Sequence, residues 1–391
     1  MRNYFNSLII PYTLVMDNQI TQLTFPPDFL DLGAGIPSLE LLPIDRLEQA
    51  AGSVFAAGDR RTLQYGAEQG SGPFREGLGL WLTETVGHMI DPDSLMTTAG
   101  ASSALDLLCT LYTEPGDVVF VEEPTYFLAL RIFADHGLQI ESIPLDPAGM
   151  NLDLLEEKLA RARPRFVYTI PTYHNPASVS LSPEDRDRLV KLAQQYDFLI
   201  LADEVYRFLG YAGDPPPAMA EYAAHVEQVI SINSFSKILA PGLRLGWLQA
   251  HPRVIHKLAG CGMLDSGGGF NPFTSAVVDE LIRAGGLTEN ITGVKKVYRQ
   301  SLQAMDQALA NHLPLAVYQR PLGGYYFWIQ LPGLDTGTLR EQARKAGVDF
   351  RPGRLFSSRK GLVEYLRLSF SRCTESEIAR GIQKLAELVN A

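Results

Sequence analysis

Cysteine is scarce in this chain: Cys109, Cys261 and Cys373 lie far apart, form no CxxC pair and have no metal-ligand spacing. An odd, scattered set suits reduced thiols and argues against a disulfide framework. Also lacking is any apolar run of about 18 residues or more, so no spanning helix is expected. The apolar stretch at residues 8–16 is interrupted by Pro11 and followed by no small-residue cleavage site, which argues against a signal peptide. Positive charge is in deficit, with 34 Lys and Arg against 44 Asp and Glu and a formal net charge of -10. A nucleic-acid partner needs a basic footprint, so none is expected. No repeat or low-complexity tract is visible. The expected location is the cytoplasm.

What is present is core-forming. Hydrophobic residues make up 46% of 391 residues and charged ones 20%, the balance of a globular chain too long for one ordinary core. Short apolar runs at residues 118–121, 166–170, 198–202, 229–232 and 246–248 alternate with helical patterns at 152–160 and 183–196. Ser182 is placed as the cap of the latter, with Pro183 at its first position. Apolar strands between amphipathic helices predict a mostly parallel sheet covered on both faces. After about residue 285 the pattern changes to a long helix over 290–312, strands at 325–329 and 365–370, a helix over 338–345 and a last one from Glu375. This reads as a smaller α+β domain. The division is therefore residues 1–50 as an irregular arm that packs on the small domain or on a neighbouring subunit, 51–285 as the large domain and 286–391 as the small one.

Several segments carry chemistry. In Ser234-Phe235-Ser236-Lys237 a lysine follows an apolar strand, at the end where open α/β sheets bind ligands. A desolvated lysine has a depressed pKa and forms a Schiff base with an aldehyde. Arg244 is placed to hold a phosphate, helped by the hydroxyls of Ser234 and Ser236. Read alone, Lys237 and Arg244 are equally well surface charges on a loop. Asp203 closes the buried strand of Leu199-Ile200-Leu201-Ala202-Asp203, where an unpaired carboxylate is costly. A cationic ring nitrogen is a fitting partner. At about 4 Å and an effective dielectric of about 20 the pair is worth roughly 4 kcal/mol, or about three pKa units, enough to keep a pyridinium protonated. An N-cap or metal-ligand role for Asp203 remains open. Tyr206, three residues on, is placed to donate to the ring's phenolic oxygen.

Gly100, Ala101 and Ser102 open a helix whose exposed amides would bind an anion, although small residues here also serve capping alone. Tyr126 is placed to stack on a flat ring or to fill the core. Asn175, in His174-Asn175-Pro176, is a donor amide or a turn former. Arg367 sits inside the apolar strand Tyr365-Leu366-Arg367-Leu368-Ser369-Phe370 and needs a partner: a substrate carboxylate or an internal salt bridge. Ser266-Gly267-Gly268-Gly269-Phe270 reads as a mobile loop near the substrate mouth or a plain connector. It is no P-loop, because no Gly-Lys-Ser/Thr follows.

The order of these pieces resembles the class I/II aminotransferases of pyridoxal-phosphate (PLP) fold type I, and the aminoadipate and kynurenine aminotransferase branch in particular. The resemblance runs from Leu32-Gly33-Ala34-Gly35-Ile36-Pro37 to the C-terminal helix. It includes Tyr65-Gly66 with Gly70, Thr113-Glu114-Pro115-Gly116-Asp117-Val118 and Pro321-Leu322-Gly323-Gly324-Tyr325-Tyr326. It implies a large domain with a mostly parallel seven-stranded sheet sandwiched by helices, a smaller α+β domain, and PLP as cofactor. By the same resemblance Lys237 carries the Schiff base and shuttles the proton, Asp203 pairs with the pyridinium, and Tyr206 and Asn175 hold the phenolic oxygen. Tyr126 stacks on the ring, and Gly100, Ala101, Ser102, Ser234, Ser236 and Arg244 hold the phosphate. Tyr65 reaches the phosphate of a neighbouring subunit, which implies a homodimer with shared sites. Arg367, with the Gly35 backbone and Asn175, binds the substrate. One departure stands out: the family often continues His-Asn-Pro with Thr-Gly, whereas Ala177-Ser178 follows here, so the turn after Asn175 is expected to differ.

The implied activity is ping-pong transfer of an amino group from an L-amino acid to a 2-oxo acid, with 2-oxoglutarate the expected acceptor. A β-lyase or decarboxylase would use the same apparatus, since the outcome depends on which Cα bond aligns with the cofactor. An amino-acid-sensing regulator is the more distant alternative and would need a DNA-binding module.

Overall fold

A computed structural model describes residues 28–390. Its largest sheet runs in the order Leu95–Thr98, Gly246–Ala250, Val229–Ser234, Leu199–Asp203, Phe166–Thr169, Val118–Glu123, Gln139–Asp146, Gly149–Met150. The five strands from Val229–Ser234 to Gln139–Asp146 are mutually parallel, and Gly246–Ala250 runs antiparallel to both its neighbours. The expected seven strands gain an eighth, the two-residue Gly149–Met150. It folds back on its neighbour through a turn in which Gly149 takes a φ of 122°.

Residues alternate between the two faces of the sheet and both faces are buried. Leu201, Val121, Tyr168 and Ile232 pack in one core; Ile200, Ala202, Phe120 and Val167 pack in another. Two covered faces explain why these strands read as continuous apolar runs. The helix Pro183–Tyr196 begins as expected, with Ser182 accepting from Asp185 N.

A second, antiparallel sheet has the order Val317–Tyr318, Tyr326–Gln330, Tyr365–Ser369, Arg351–Pro352, and sets Trp328 opposite Arg367. The long helix spans Gly286–His312, four residues earlier than its apolar spacing suggested, because Gly285 starts it from a left-handed turn. Leu30–Asp31 pairs in parallel with Val348–Asp349. That pairing places residues 30–37 beside the C-terminal sheet, where Ser369 N donates to Leu32 O. The boundary drawn at residue 50 falls inside a helix, Ile44–Ala57, which packs against Pro272–Arg283. The apolar run at 8–16 lies outside the described residues.

The glycine stretch 267–269 is a close backbone crossing. Gly269 N donates to Gly66 O at 3.2 Å, and a Cβ on Gly269 would lie 1.9 Å from Ala67 O. Glycine is required at 268 and 269 by the approach of the segment at 66–70, whereas a side chain at 267 would meet nothing within 4 Å.

Candidate active site

The C-terminal ends of the parallel strands deliver most of the singled-out residues to one place. Asp203 ends one strand and Ser234 the next, and Lys237 follows the latter by three residues. Because Gly246–Ala250 is antiparallel, Arg244 at its start reaches the same end.

Lys237 Nζ donates to Gly35 O at 2.7 Å and stands 5.9 and 5.7 Å from the ring centres of Tyr206 and Tyr325. Burial lowers its pKa, in the direction that yields a neutral amine. Tyr325 Oη donates to the Lys237 carbonyl at 2.9 Å and fixes the lysine's backbone. Asp203 is buried. It accepts from Tyr168 Oη at 2.8 Å and, over a long 3.5 Å, from Val205 N. Burial pushes its pKa up to about 6, against the pull of those bonds and of Lys237. A carboxylate so destabilised, with no cation among the described residues bonded to it, suits a cationic ring nitrogen. No group of three or more His, Cys, Asp or Glu side chains placed to hold a metal forms among the described residues.

Gly100 takes a φ of 90° and starts the helix Ala101–Tyr112. A Cβ on Gly100 would meet Arg244 Nη2 at 3.0 Å. Ser234 and Ser236 bring their hydroxyls to 2.9 Å of each other beside this turn's partner strand. Arg244 adopts a φ of 47° and donates to Ala99 O at 3.1 Å, its guanidinium exposed. Helix amides, two hydroxyls and a guanidinium are donors of the kind that a phosphate dianion accepts from.

Arg367 is buried and has no carboxylate partner among the described residues. Nη1 donates to Asn175 Oδ1 and Nη2 to Gly33 O, each at 2.7 Å, and Nε has no partner. The internal salt bridge goes instead to Arg351, which pairs with Asp31 and Asp349. With its Oδ1 occupied, Asn175 keeps its NH₂ group for another acceptor. Its loop is held by His174. The ring's Nδ1 accepts from Ala177 N, so Nε2 carries the proton that Glu122 accepts at 3.0 Å. Ser178, the departure noted in the sequence, has a φ of 61° and donates to Tyr326 O at 2.6 Å.

Tyr126 caps the helix Phe127–Asp135, is half-buried, and lies close enough to Asp203, Tyr326 and Arg367 to feel their charges. Tyr65 is 82% exposed, beside the backbone of Gly268. Sequence reasoning missed Tyr168, Ser178, Tyr325 and Tyr326 as site residues. The doubled tyrosine after Gly323-Gly324 and a phenol in the apolar strand at 166–169 were the available signals.

A sequence model of the family described as "Aminotransferase class I and II" matches residues 27–385. The chain belongs to this family. Among relatives, it is 35% identical to "Aromatic-amino-acid aminotransferase 1" of Thermococcus litoralis, over 99% of this chain and 94% of that one. Among solved structures, it resembles a Pyrococcus horikoshii kynurenine aminotransferase, with a TM-score of 0.87, 34% identity, and coverage of 93% of this chain and 91% of that one. It also resembles LysN, the alpha-aminoadipate aminotransferase of Thermus thermophilus (TM-score 0.84, 31% identity, 93% of this chain and 92% of that one), which was solved with N-(5'-phosphopyridoxyl)-L-leucine. The chain is thus an aminotransferase of PLP fold type I. It uses PLP to move an amino group between an amino acid and a 2-oxo acid. No helix among its described residues is long and apolar enough to cross a membrane.

Proposed function

We propose that this aminotransferase works through Lys237, Asp203, Tyr206 and Arg367, with 2-oxoglutarate as amino acceptor and an aromatic or acidic L-amino acid as donor. The observation that carries the reading is Arg367, a buried guanidinium whose Nε is unpartnered and whose charge no described carboxylate neutralises. An α-carboxylate meets that need.

PLP, when bound, supplies an electron-withdrawing ring conjugated to the substrate's Cα. Gly100, Ala101, Ser102, Ser234, Ser236 and Arg244 would hold its phosphate, and Tyr126 would lie on its face. Asp203 would keep the ring nitrogen protonated, while Tyr206 and the free NH₂ of Asn175 would donate to the phenolic oxygen. Lys237, made a weaker base by burial, would take the proton from Cα and give it to the cofactor's former aldehyde carbon on the same face. Arg367, the Gly35 backbone and Asn175 orient the substrate, which decides which Cα bond is broken.

The working unit in this reading is a homodimer in the cytoplasm. Tyr65 then reaches the phosphate site of a second copy; its own exposure and that of Leu63 and Phe55 support this. The parts are an arm, a PLP-binding region and a C-terminal region from 286. The first boundary is better drawn before Ile44, because the helix from Ile44 packs on the large region.

The visible absorption of the purified protein tests the reading. A band that fades with an amino acid and returns with 2-oxoglutarate supports amino transfer. Pyruvate and ammonia released from a β-substituted amino acid without any oxo acid would favour a lyase instead. No band after adding PLP would overturn the role of Lys237.

A further inference from the structure

Tyr326 occupies a position that the reaction as described leaves unused. Its hydroxyl lies 2.8 Å from that of Tyr206, and its ring carries the Arg367 guanidinium 4.0 Å above its centre. Its hydroxyl also fills the space where a side chain on residue 35 would be, since a Cβ on Gly35 would lie 2.0 Å from it. Residue 35 is glycine for lack of room, and Gly35 is the residue whose carbonyl holds Lys237. Ser178, at the end of the turn that carries Asn175, grips the Tyr326 carbonyl. One side chain therefore touches the supports of the lysine, the phenolic-oxygen donor and the carboxylate-binding arginine.

We propose that Tyr326 is a positioning residue that tunes the hydrogen bond Tyr206 gives to the cofactor's phenolic oxygen and seats Arg367 for the substrate carboxylate. This rests on the roles given above to Tyr206 and Arg367. Proton counting fixes the direction. A phenol has one proton. If Tyr206 donates to the phenolic oxygen, the proton between the two tyrosines must come from Tyr326. The bonds then run from Tyr326 to Tyr206 to the cofactor. A hydroxyl that accepts a bond is a stronger donor. Burial raises the pKa of Tyr206 well above its ordinary value, so it keeps the proton it must give. A stronger bond to the phenolic oxygen makes that oxygen less basic, so the proton it shares is released at lower pH.

The test uses the PLP-loaded enzyme and reads two quantities besides turnover. One is the pH midpoint of the cofactor's visible band; the other is the Kd of an unreactive α-methyl amino acid, followed spectrally. Melting curves check that each variant is folded. Tyr326→Phe keeps the ring and loses the hydroxyl. It should raise the midpoint by about half a unit, roughly threefold in proton affinity, and leave the Kd within about twofold. Tyr326→Leu should move both, weakening the ligand about tenfold as the desolvated cation–π contact is lost. In a Tyr206→Phe background, Tyr326→Phe should add no further midpoint shift. A wild-type midpoint in Tyr326→Phe, or a shift undiminished without the Tyr206 hydroxyl, would overturn the proposal while the roles of Tyr206 and Arg367 stand. A wild-type protein that binds no PLP would overturn those roles and the proposal with them.

Discussion

Tyr168 donates its hydroxyl proton to Asp203 Oδ2 over 2.8 Å, and the bond does not offset the burial of the carboxylate, whose pKa stands at about 6. This has a measurable sign. A carboxyl group whose folded pKa lies above its ordinary 3.8 binds protons more tightly in the folded state. Its contribution to stability therefore falls as pH rises from about 4 to about 6 and stays unfavourable above that, by roughly 3 kcal/mol at most. In the PLP-free protein, Asp203→Asn should be the more stable form at pH 7.5, with the advantage shrinking toward pH 4. Parallel melting curves for the two proteins across that range would show no Asp203 burial penalty.

Lys237→Ala should abolish amino transfer while the protein still folds. The lost side chain makes one described hydrogen bond, to Gly35 O, so the melting temperature should move by only a few degrees. Stopped-flow with a single amino acid should show no loss of the α-proton, read as the absence of solvent deuterium at Cα. Turnover near that of the wild type would remove Lys237 from the proton transfer.

Arg367→Ala should act on substrate affinity more than on the chemical step. Losing a buried, hydrogen-bonded partner for a carboxylate costs about 3 kcal/mol, or roughly a hundredfold in the apparent KM. Arg367→Lys should recover little, since one ammonium cannot serve both Asn175 and Gly33 and still face a carboxylate. An unchanged KM for α-amino acids in Arg367→Ala would place the carboxylate elsewhere.

Gly323→Ala tests a packing constraint beside the site. A Cβ there would meet Tyr173 ring atoms at 2.5 and 2.6 Å, and a Cβ on the facing Gly210 would meet Tyr173 Oη at 2.4 Å. The ring fills a slot between two glycines. Overpacking should destabilise by about 1–3 kcal/mol. In a Tyr173→Ala background the same change should cost less, because the obstacle is gone. Equal costs in both backgrounds would show that the strain lies in the backbone.

The large sheet was legible because strands covered on both faces must be apolar throughout, and Ser182 with Pro183 marked a helix start by capping chemistry alone. The placement of Asp203 and Lys237 at one end of that sheet followed from their positions at and after strand ends, whereas that of Arg244 depends on the next strand, Gly246–Ala250, running antiparallel. What stayed hidden depends on contacts between distant segments. Nothing local marks Gly35 as the floor beneath Tyr326, or Gly66 to Gly70 as the reason for the glycines at 268 and 269. Arg367 announced that it needed a partner, but the choice between a salt bridge and a substrate required seeing Arg351 take the nearby carboxylates. Tyr168 and Tyr326 look like ordinary core aromatics until their hydroxyls are traced.

The bond from Arg367 to Gly33 joins residues 334 apart, and the one from Lys237 to Gly35 joins residues 202 apart. Each half of the site is therefore incomplete until the first described segment has docked against strands made much later in synthesis. Contacts this distant in sequence form late and slowly. The grip on a substrate carboxylate is thus a marker of the chain's own assembly, gained only when residues 33–35 have met the strand Tyr365–Ser369. A truncation before Arg367 should leave a protein that no longer grips an amino acid, however well its large sheet has formed.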